Sequence, residues 1–151
     1  SQIYPGRVQL MGAGTGIYHS EFNPSETETT RLLQIWIQPE RPGLEPSYQE
    51  EDYDPADRQN KWLTLVAPVD EPSVLDVRQD VRIYNTVLNE AGALELPNSE
   101  GRKGWLQVVN GNLTVGDVVL KRGDGLALED ESAQEIVTSS SAELLYFDLP
   151  R

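Results

Sequence analysis

An all-β fold is most clearly predicted by residues 104–128, GWLQVVNGNLTVGDVVLKRGDGLAL. Short runs of alternating or β-branched apolar residues are separated there by glycine-containing turns, which is the pattern of strands joined by tight loops. Asn110-Gly111 follows the first run and predicts a two-residue hairpin in which both loop residues take positive φ. Gly116-Asp117 and Gly123-Asp124-Gly125 predict two further reversals. The stretch therefore predicts four short strands.

The rest of the chain continues this pattern at short intervals, which indicates a sandwich or barrel. The other predicted strands are residues 8–11, 31–37, 61–67, 80–88, 93–96, 134–138 and 143–149. Residues 31–37, RLLQIWI, are almost continuously apolar and predict a strand buried on both faces. One short helix is predicted at residues 56–60, with Asp54 as its N-cap. Residues 23–30 and 39–53 are polar or proline-rich and predict surface connections.

The chain is strongly acidic, with 25 Asp and Glu residues against 12 Lys and Arg and a net charge of −13 at pH 7. Such a surface repels phosphate groups, which argues against nucleic acid partners and anionic membranes. The sequence has no cysteine, which excludes disulfides and thiolate metal sites and fits a cytoplasmic location. The acidic groups at residues 50–52 and 129–131 lack the spacing of a calcium loop and are interpreted as solvated surface. The three tryptophans, at positions 36, 62 and 105, predict packing in the core or between barrels.

The only histidine, His19, lies in the motif MGAGTGIYHSEFNPS, residues 11–25. Glu21 follows two positions later, and on a strand both side chains would leave the same face. An imidazole beside a carboxylate can bind one divalent metal ion or pass a proton. From the spacing alone, a solvated histidine near a glutamate is the commoner arrangement. The glycines before His19 do not indicate a phosphate loop, because no lysine or helical repeat follows them.

These motifs resemble those of the pirin family, and the likeness covers nearly the whole chain. The matching positions are the HSE motif at 19–21 with its flanks, QIWI at 34–37, PE at 39–40, then Gly43, Pro46, Tyr48, WLQVV at 105–109, GDG at 123–125 and FDLP at 147–150. Pirins have two cupin barrels and are similar to quercetin 2,3-dioxygenase. The resemblance therefore implies an all-β cupin, or jelly-roll, fold. It implies a partial N-terminal cupin with a linker at residues 1–56 and a complete C-terminal cupin at residues 57–151.

The resemblance also implies a metal site. Pirins hold one metal ion, usually iron, with three histidines and one glutamate, and the matching positions here are His19 and Glu21. Glu21 would also act as a base toward a flavonol-type substrate such as quercetin. Because the chain has no second histidine, we expect weak binding of iron or another divalent metal and no activity of the chain alone. Leu128 stands where metal-binding cupins have a histidine, which implies a structural C-terminal barrel.

Two hypotheses about the molecule stay open at this point. One is a cut or shortened pirin, since the metal motif lies near a first residue that is serine. Its parent would be a metal-dependent dioxygenase. The other is a non-enzymatic cupin that binds a partner, as transcription cofactors of the family do, or that forms a homodimer through strand edges left open by an incomplete barrel. His19→Ala is expected to leave folding nearly unchanged.

Overall fold

The computed structural model describes residues 2–97, 100–129 and 134–151, and the regular structure in these ranges is almost entirely β. The strands are β1 (Arg7–Gly12), β2 (Ser47–Asp52), β3 (Leu63–Pro68), β4 (Leu75–Val77), β5 (Arg82–Leu88), β6 (Ala93–Glu95), β7 (Lys103–Asn110), β8 (Asn112–Val115), β9 (Val118–Lys121), β10 (Gly125–Glu129), β11 (Glu135–Val137) and β12 (Ala142–Leu149). A 3-10 turn, Pro55–Arg58, precedes β3. Among the described residues, no helix is long and apolar enough to cross a membrane. The predicted all-β class is confirmed.

Two large sheets form the jelly roll. One has the strand order β10-β7-β12-β5-β3-β4, and the other has the order β6-β11-β8-β9. From β5 onward most consecutive strands change sheet, as in the double-sheet jelly roll. β1 and β2 form a separate antiparallel pair, and their assignment to a partial N-terminal cupin stays a prediction.

The main core lies between the two large sheets. Its members come from both sheets: Leu88, Leu96, Leu106, Val108, Leu113, Val115, Leu120, Leu128, Ile136, Leu144 and Tyr146. Trp62 packs against this core, and its ring meets Tyr84 edge to face at a centroid distance of 6.4 Å. The two large sheets therefore enclose a hydrophobic core of their own, while the completeness of the C-terminal cupin stays a prediction.

A second core covers the outer face of the six-stranded sheet. Its buried members are Leu65, Val66, Leu75, Val81, Ile83 and Leu145. Along β12, Leu144 and Tyr146 belong to the first core and Leu145 to the second, as the period of two in a strand requires. Val8 and Leu10 of β1 pack against the second core, so this face is where the N-terminal part contacts the C-terminal cupin.

Residues 31–37 form no strand, and the prediction of a strand buried on both faces is wrong. Apart from Ile37, which packs against the second core, the side chains of this segment are exposed. A doubly buried strand needs a hydrogen-bonded neighbour and cover on both faces, and the described residues place no strand beside it. The predicted packing of Trp36 is wrong as well, since its side chain is 87% exposed. Trp62 packs against the main core, which confirms the predicted packing for that residue. Trp105 is 40% exposed.

The hairpin predicted at Asn110-Gly111 is also wrong. The flanking strands β7 and β8 lie in different sheets, so this turn carries the chain across the barrel. Gly111 has a φ of 81°, but Asn110 does not share the positive φ that the predicted turn requires. The crossing is tight, because a Cβ on Gly111 would lie 2.8 Å from the Cα of Ala142. The Gly116-Asp117 reversal is confirmed, with Val115 paired to Val118 across it.

Two strands are missing from the sequence prediction, β2 and β4. β2 lies within residues 39–53, which were predicted as a surface connection, yet it pairs with all six residues of β1. Its sequence, SYQEED, is too polar to show the alternation of a half-buried strand. β4 has three residues, which is too short for a periodic signal.

The predicted helix is shorter than expected. Asp54 Oδ1 accepts a hydrogen bond from the backbone N–H of Ala56 at 2.9 Å, which confirms the cap. The turn ends at Arg58, because Asn60 has a φ of 53° and its N–H donates to Val87 O of β5 at 2.9 Å. The division of the chain near residue 57 stays a prediction.

Candidate metal site

The candidate ligands lie on the long segment between β1 and β2, residues 13–46. Its two ends meet at Gly14, which has a φ of 52°. A Cβ on Gly14 would overlap Leu44 O and lie 2.7 Å from Pro46 N, so only glycine permits this approach. The segment is therefore a loop closed at its base.

His19 is exposed, and its ring nitrogens have no hydrogen-bond partner in the part of the chain that the structure describes. It helps to line an open cavity of about 400 Å³. The other lining residues are mostly apolar or aromatic: Met11, Ile17, Tyr18, Pro46, Ser47 and Tyr48. The imidazole is thus available to a metal ion or a proton rather than committed to the core.

Glu21 is exposed too, and one of its carboxylate oxygens is held. Gln34 Nε2 donates to Glu21 Oε2 at 2.9 Å. The indole N–H of Trp36 donates in turn to Gln34 Oε1 at 3.5 Å. Glu21 Oε1 has no partner within the described ranges, so it can accept a proton or bind a cation.

His19 and Glu21 form a pair of donors but not a complete metal site. Residues 19–21 are not a strand, so the same-face argument does not apply to them. Two residues of chain span at most about 7 Å, which still lets both side chains reach one ion. No group of three or more His, Cys, Asp or Glu side chains suited to a metal ion occurs among the described residues. A stable site needs more donors than these two.

The β1–β2 pair beside this cavity is held by an ion pair at its far end. Arg7 Nε donates to Asp52 Oδ1 at 2.7 Å, and Tyr4 Oη donates to Asp52 Oδ2 at 2.7 Å. These hydrogen bonds, from Arg7 first and then Tyr4, lower the pKa of Asp52 to about 2. The same bond to Asp52 raises the pKa of Tyr4. The frame that carries Met11 and Tyr48 is therefore fixed by charge as well as by strand pairing.

The interior of the C-terminal barrel offers no donor at the position expected from the resemblance. Leu128 is 5% exposed and belongs to the core between the sheets. Trp62, Tyr84 and Tyr146 fill the same core, with ring centroids 6.1–6.4 Å apart. Leu128 adds apolar packing there rather than a ligand.

The structure describes all of the acidic group at residues 50–52 but only the first residue of the group at 129–131. Glu50 and Asp52 lie on β2 and interact with Arg7. Glu129 lies 3.5 Å from Lys103 Nζ, while Asp130 and Glu131 fall outside the described residues.

Sequence reasoning missed two parts of this site. Gln34 stands in the QIWI motif, and nothing in its spacing indicates a bond to Glu21. The cavity beside His19 is lined by residues that lie far apart in the sequence, such as Tyr18 and Tyr48, so no local pattern reveals it.

Two stretches of the chain match models of known protein families. Residues 64–149 match the quercetinase C-terminal cupin domain, and residues 1–37 match pirin. The chain belongs to the pirin family.

Several pirin relatives match nearly the whole length of this chain. Quercetin 2,3-dioxygenase of Escherichia coli (strain K12) is 42% identical over 149 residues, which cover 99% of this chain and 63% of that protein. The crystal structure of YhhW from Escherichia coli has a TM-score of 0.88 and 40% identity, with the same coverage of 99% and 63%. The bacterial pirin YhhW in complex with nickel(II) has a TM-score of 0.87 and 39% identity, and the match covers 99% of this chain and 64% of that one. This pirin chain therefore spans less than two thirds of the relatives it matches.

Proposed function

We propose that this chain supplies one imidazole and one carboxylate, from His19 and Glu21, to the metal site of a quercetin 2,3-dioxygenase-like pirin. The remaining ligands come from residues outside the chain. The metal is iron(II) or another divalent ion, and the substrate is a flavonol-type aromatic compound. Glu21 also serves as the proton acceptor for a substrate hydroxyl. The C-terminal cupin is structural, and the 151 residues alone do not oxidise quercetin.

One observation carries this proposal. The only histidine of the chain is exposed and has no hydrogen-bond partner among the described residues, and it helps to line an open cavity. A histidine that served the fold would be buried or hydrogen-bonded. The nickel(II) complex of a relative 39% identical to this chain supports metal binding by the family.

A chimera tests the proposal. The part of the Escherichia coli quercetin 2,3-dioxygenase that this chain does not match is joined to the chain. The expected result is one metal ion per chimera by elemental analysis, together with loss of the quercetin absorbance band. In the chimera, His19→Ala and Glu21→Ala should each weaken metal binding at least about tenfold, since even groups that only orient a ligand contribute that much. Glu26 is an exposed acid on the same segment. The matched control Glu26→Gln should change neither the metal content nor the loss of quercetin absorbance.

The outcomes separate the two parts of the proposal. A chimera that keeps full metal content after His19→Ala refutes the ligand role of His19. A chimera that binds metal through His19 but leaves quercetin unchanged refutes the dioxygenase activity.

A non-enzymatic role is the second candidate, and the exposed aromatic surface favours it. Tyr18, Phe22 and Trp36 are 107%, 83% and 87% exposed. Large side chains at this exposure are typical of surfaces that bind another protein. This candidate is a partner-binding module, such as a transcription cofactor, and a chimera that binds metal without turning over quercetin would favour it.

A further inference from the structure

Residues 34–40, here called the tether, connect Glu21 with the C-terminal cupin. At one end, Gln34 Nε2 donates to Glu21 Oε2 at 2.9 Å. At the other end, Gln79 Nε2 donates to Gln38 O at 2.7 Å. We propose that Gln34 is a positioning residue for the Glu21 carboxylate and that Gln79 holds Gln34 in place through the tether. This inference rests on the proposed function in taking Glu21 as a metal ligand.

The far end of the tether is fixed by contacts at residues 37, 38 and 40. Ile37 packs against the second core, on the outer face of the six-stranded sheet. Gln79 bonds the carbonyl of the next residue, and the N–H of Glu40 donates to Arg78 O at 3.2 Å. An apolar contact flanked by hydrogen bonds restrains both the position and the direction of the chain. The tether therefore leaves the C-terminal cupin from a fixed point.

Gln79 is itself held in place, as an anchor must be. It is partly buried, and its Oε1 accepts a hydrogen bond from the N–H of Asp80 at 2.8 Å. Its backbone carbonyl accepts from the N–H of Val81 at 2.8 Å, and Val81 is fully buried in the second core. Because its amide oxygen and its amide nitrogen both have partners, the side chain has one orientation that satisfies them.

At the near end, the side-chain amide of Gln34 is oriented by two partners. A carboxylate only accepts hydrogen bonds, so the NH₂ group faces Glu21 while Oε1 faces the indole N–H of Trp36, at 3.5 Å. The bond to Glu21 is charge-assisted and is the stronger of the two. An exposed glutamate without such a bond samples several rotamers, and metal binding would have to immobilise it. Gln34 therefore prepares the carboxylate for the ion.

The coupling is measured first in the metal-free 151-residue chain, through the side-chain amide proton NMR signals of Gln34. Glu21→Ala and Gln79→Ala should each move these signals toward those of a solvated glutamine. Gln49→Ala is the matched control, because Gln49 Nε2 donates to Asp76 O at 2.8 Å but lies on β2, outside the tether. It should leave the signals unchanged. Signals insensitive to Glu21→Ala overturn the positioning bond, and signals insensitive to Gln79→Ala overturn the anchor.

The nickel(II) affinity of the chimera then tests the effect on the metal site. Gln34→Leu removes the amide but keeps a side chain of similar size, and it should weaken nickel binding about ten- to a hundredfold. Because Gln34 is exposed, Tm should stay the same. Gln79→Ala should weaken nickel binding by a smaller factor, whereas Gln49→Ala should not weaken it. In a Glu21→Ala background, Gln34→Leu should have no further effect, since it acts through that carboxylate.

The outcomes separate the positioning role from the proposed function. If Glu21→Ala weakens nickel binding but Gln34→Leu does not, the positioning role is wrong and the proposed function stands. An equal loss from Gln34→Leu with and without Glu21 shows that Gln34 does not act through the carboxylate, which also overturns the inference. A loss in Gln34→Leu but none in Gln79→Ala overturns the anchor. A chimera that binds no nickel, or binds it equally well after Glu21→Ala, refutes the ligand role of Glu21 and this inference with it.

Discussion

Gly104→Ala should destabilise the C-terminal cupin, because it overpacks the core between the two large sheets. Gly104 has no positive φ, so an alanine meets no backbone strain there. Its Cβ would instead overlap Tyr146 Oη and lie 2.9 Å from Tyr146 Cζ. Tyr146 is 1% exposed and packed between the sheets, so its ring cannot move aside. Overpacking of this kind costs about 1–3 kcal/mol, and the lack of room indicates the upper half of that range, about 2–3 kcal/mol.

Gly125→Ala is the matched control. Its Cβ would overlap Trp105 Cζ2 and lie 2.7 Å from Trp105 Cε2, which is a clash of similar depth. Trp105, however, is 40% exposed and can swing toward solvent, so the expected cost is only about 1 kcal/mol. In a chain of this length 1 kcal/mol lowers Tm by about 2–4 °C, and the two variants should differ clearly in calorimetry.

A double-mutant cycle identifies the cause. Tyr146→Phe removes the hydroxyl that Gly104→Ala would strike, so the double variant should be more stable than the sum of the single effects predicts, by at least about 0.5 kcal/mol. Equal losses for Gly104→Ala and Gly125→Ala, or strictly additive effects at positions 104 and 146, would refute the reasoning.

Three further predictions concern other parts of the molecule. Asp148→Asn should lower the free energy of unfolding in urea by about 2–3 kcal/mol, because it removes a nearly buried carboxylate that bonds Arg102. Glu129→Gln removes an exposed ion pair and should lower it by less than about 1 kcal/mol. Equal losses for the two variants would contradict this. Asp52 has a pKa lowered from 3.8 to about 2, so its contribution to stability is present above about pH 4 and is lost as pH falls toward 2. Asp52→Asn should therefore lower Tm at pH 6 but hardly at pH 2, and an equal deficit at both would refute the assignment. His19→Ala should leave Tm within about 1 °C of the wild type, and unfolding of the variant would show that His19 belongs to the core.

Except for the three-residue β4, the strands of the C-terminal cupin could be predicted because each carries its own signal. Residues 143–149 alternate between two cores, and both sets of side chains are apolar enough to mark the strand. The Gly116-Asp117 reversal was equally local, since a two-residue loop between paired strands needs little beyond its own residues.

Apart from the short β4, the failures depend on what lies beside a segment. Asn110-Gly111 satisfies the hairpin rule, but β7 pairs with β10 and β12 and leaves β8 to the other sheet. Residues 31–37 carry the composition of a buried strand, yet burial requires neighbours that a local pattern cannot supply. β2 shows the reverse case, because pairing with β1 makes a strand of a polar sequence.

The contrast between local signals and neighbouring segments also applies to the candidate ligands. His19 could be named from the sequence because it is the only histidine, whereas the bond from Gln34 to Glu21 required the loop to be in place. Since the two donors contact neither core, a change at either should alter metal binding without altering stability. A change at Gly104 or Asp148 should do the opposite, because these positions touch the C-terminal cores and ion pairs but none of the donors. A single set of variants measured for both properties therefore tests whether chemistry and folding are carried by different parts of this chain.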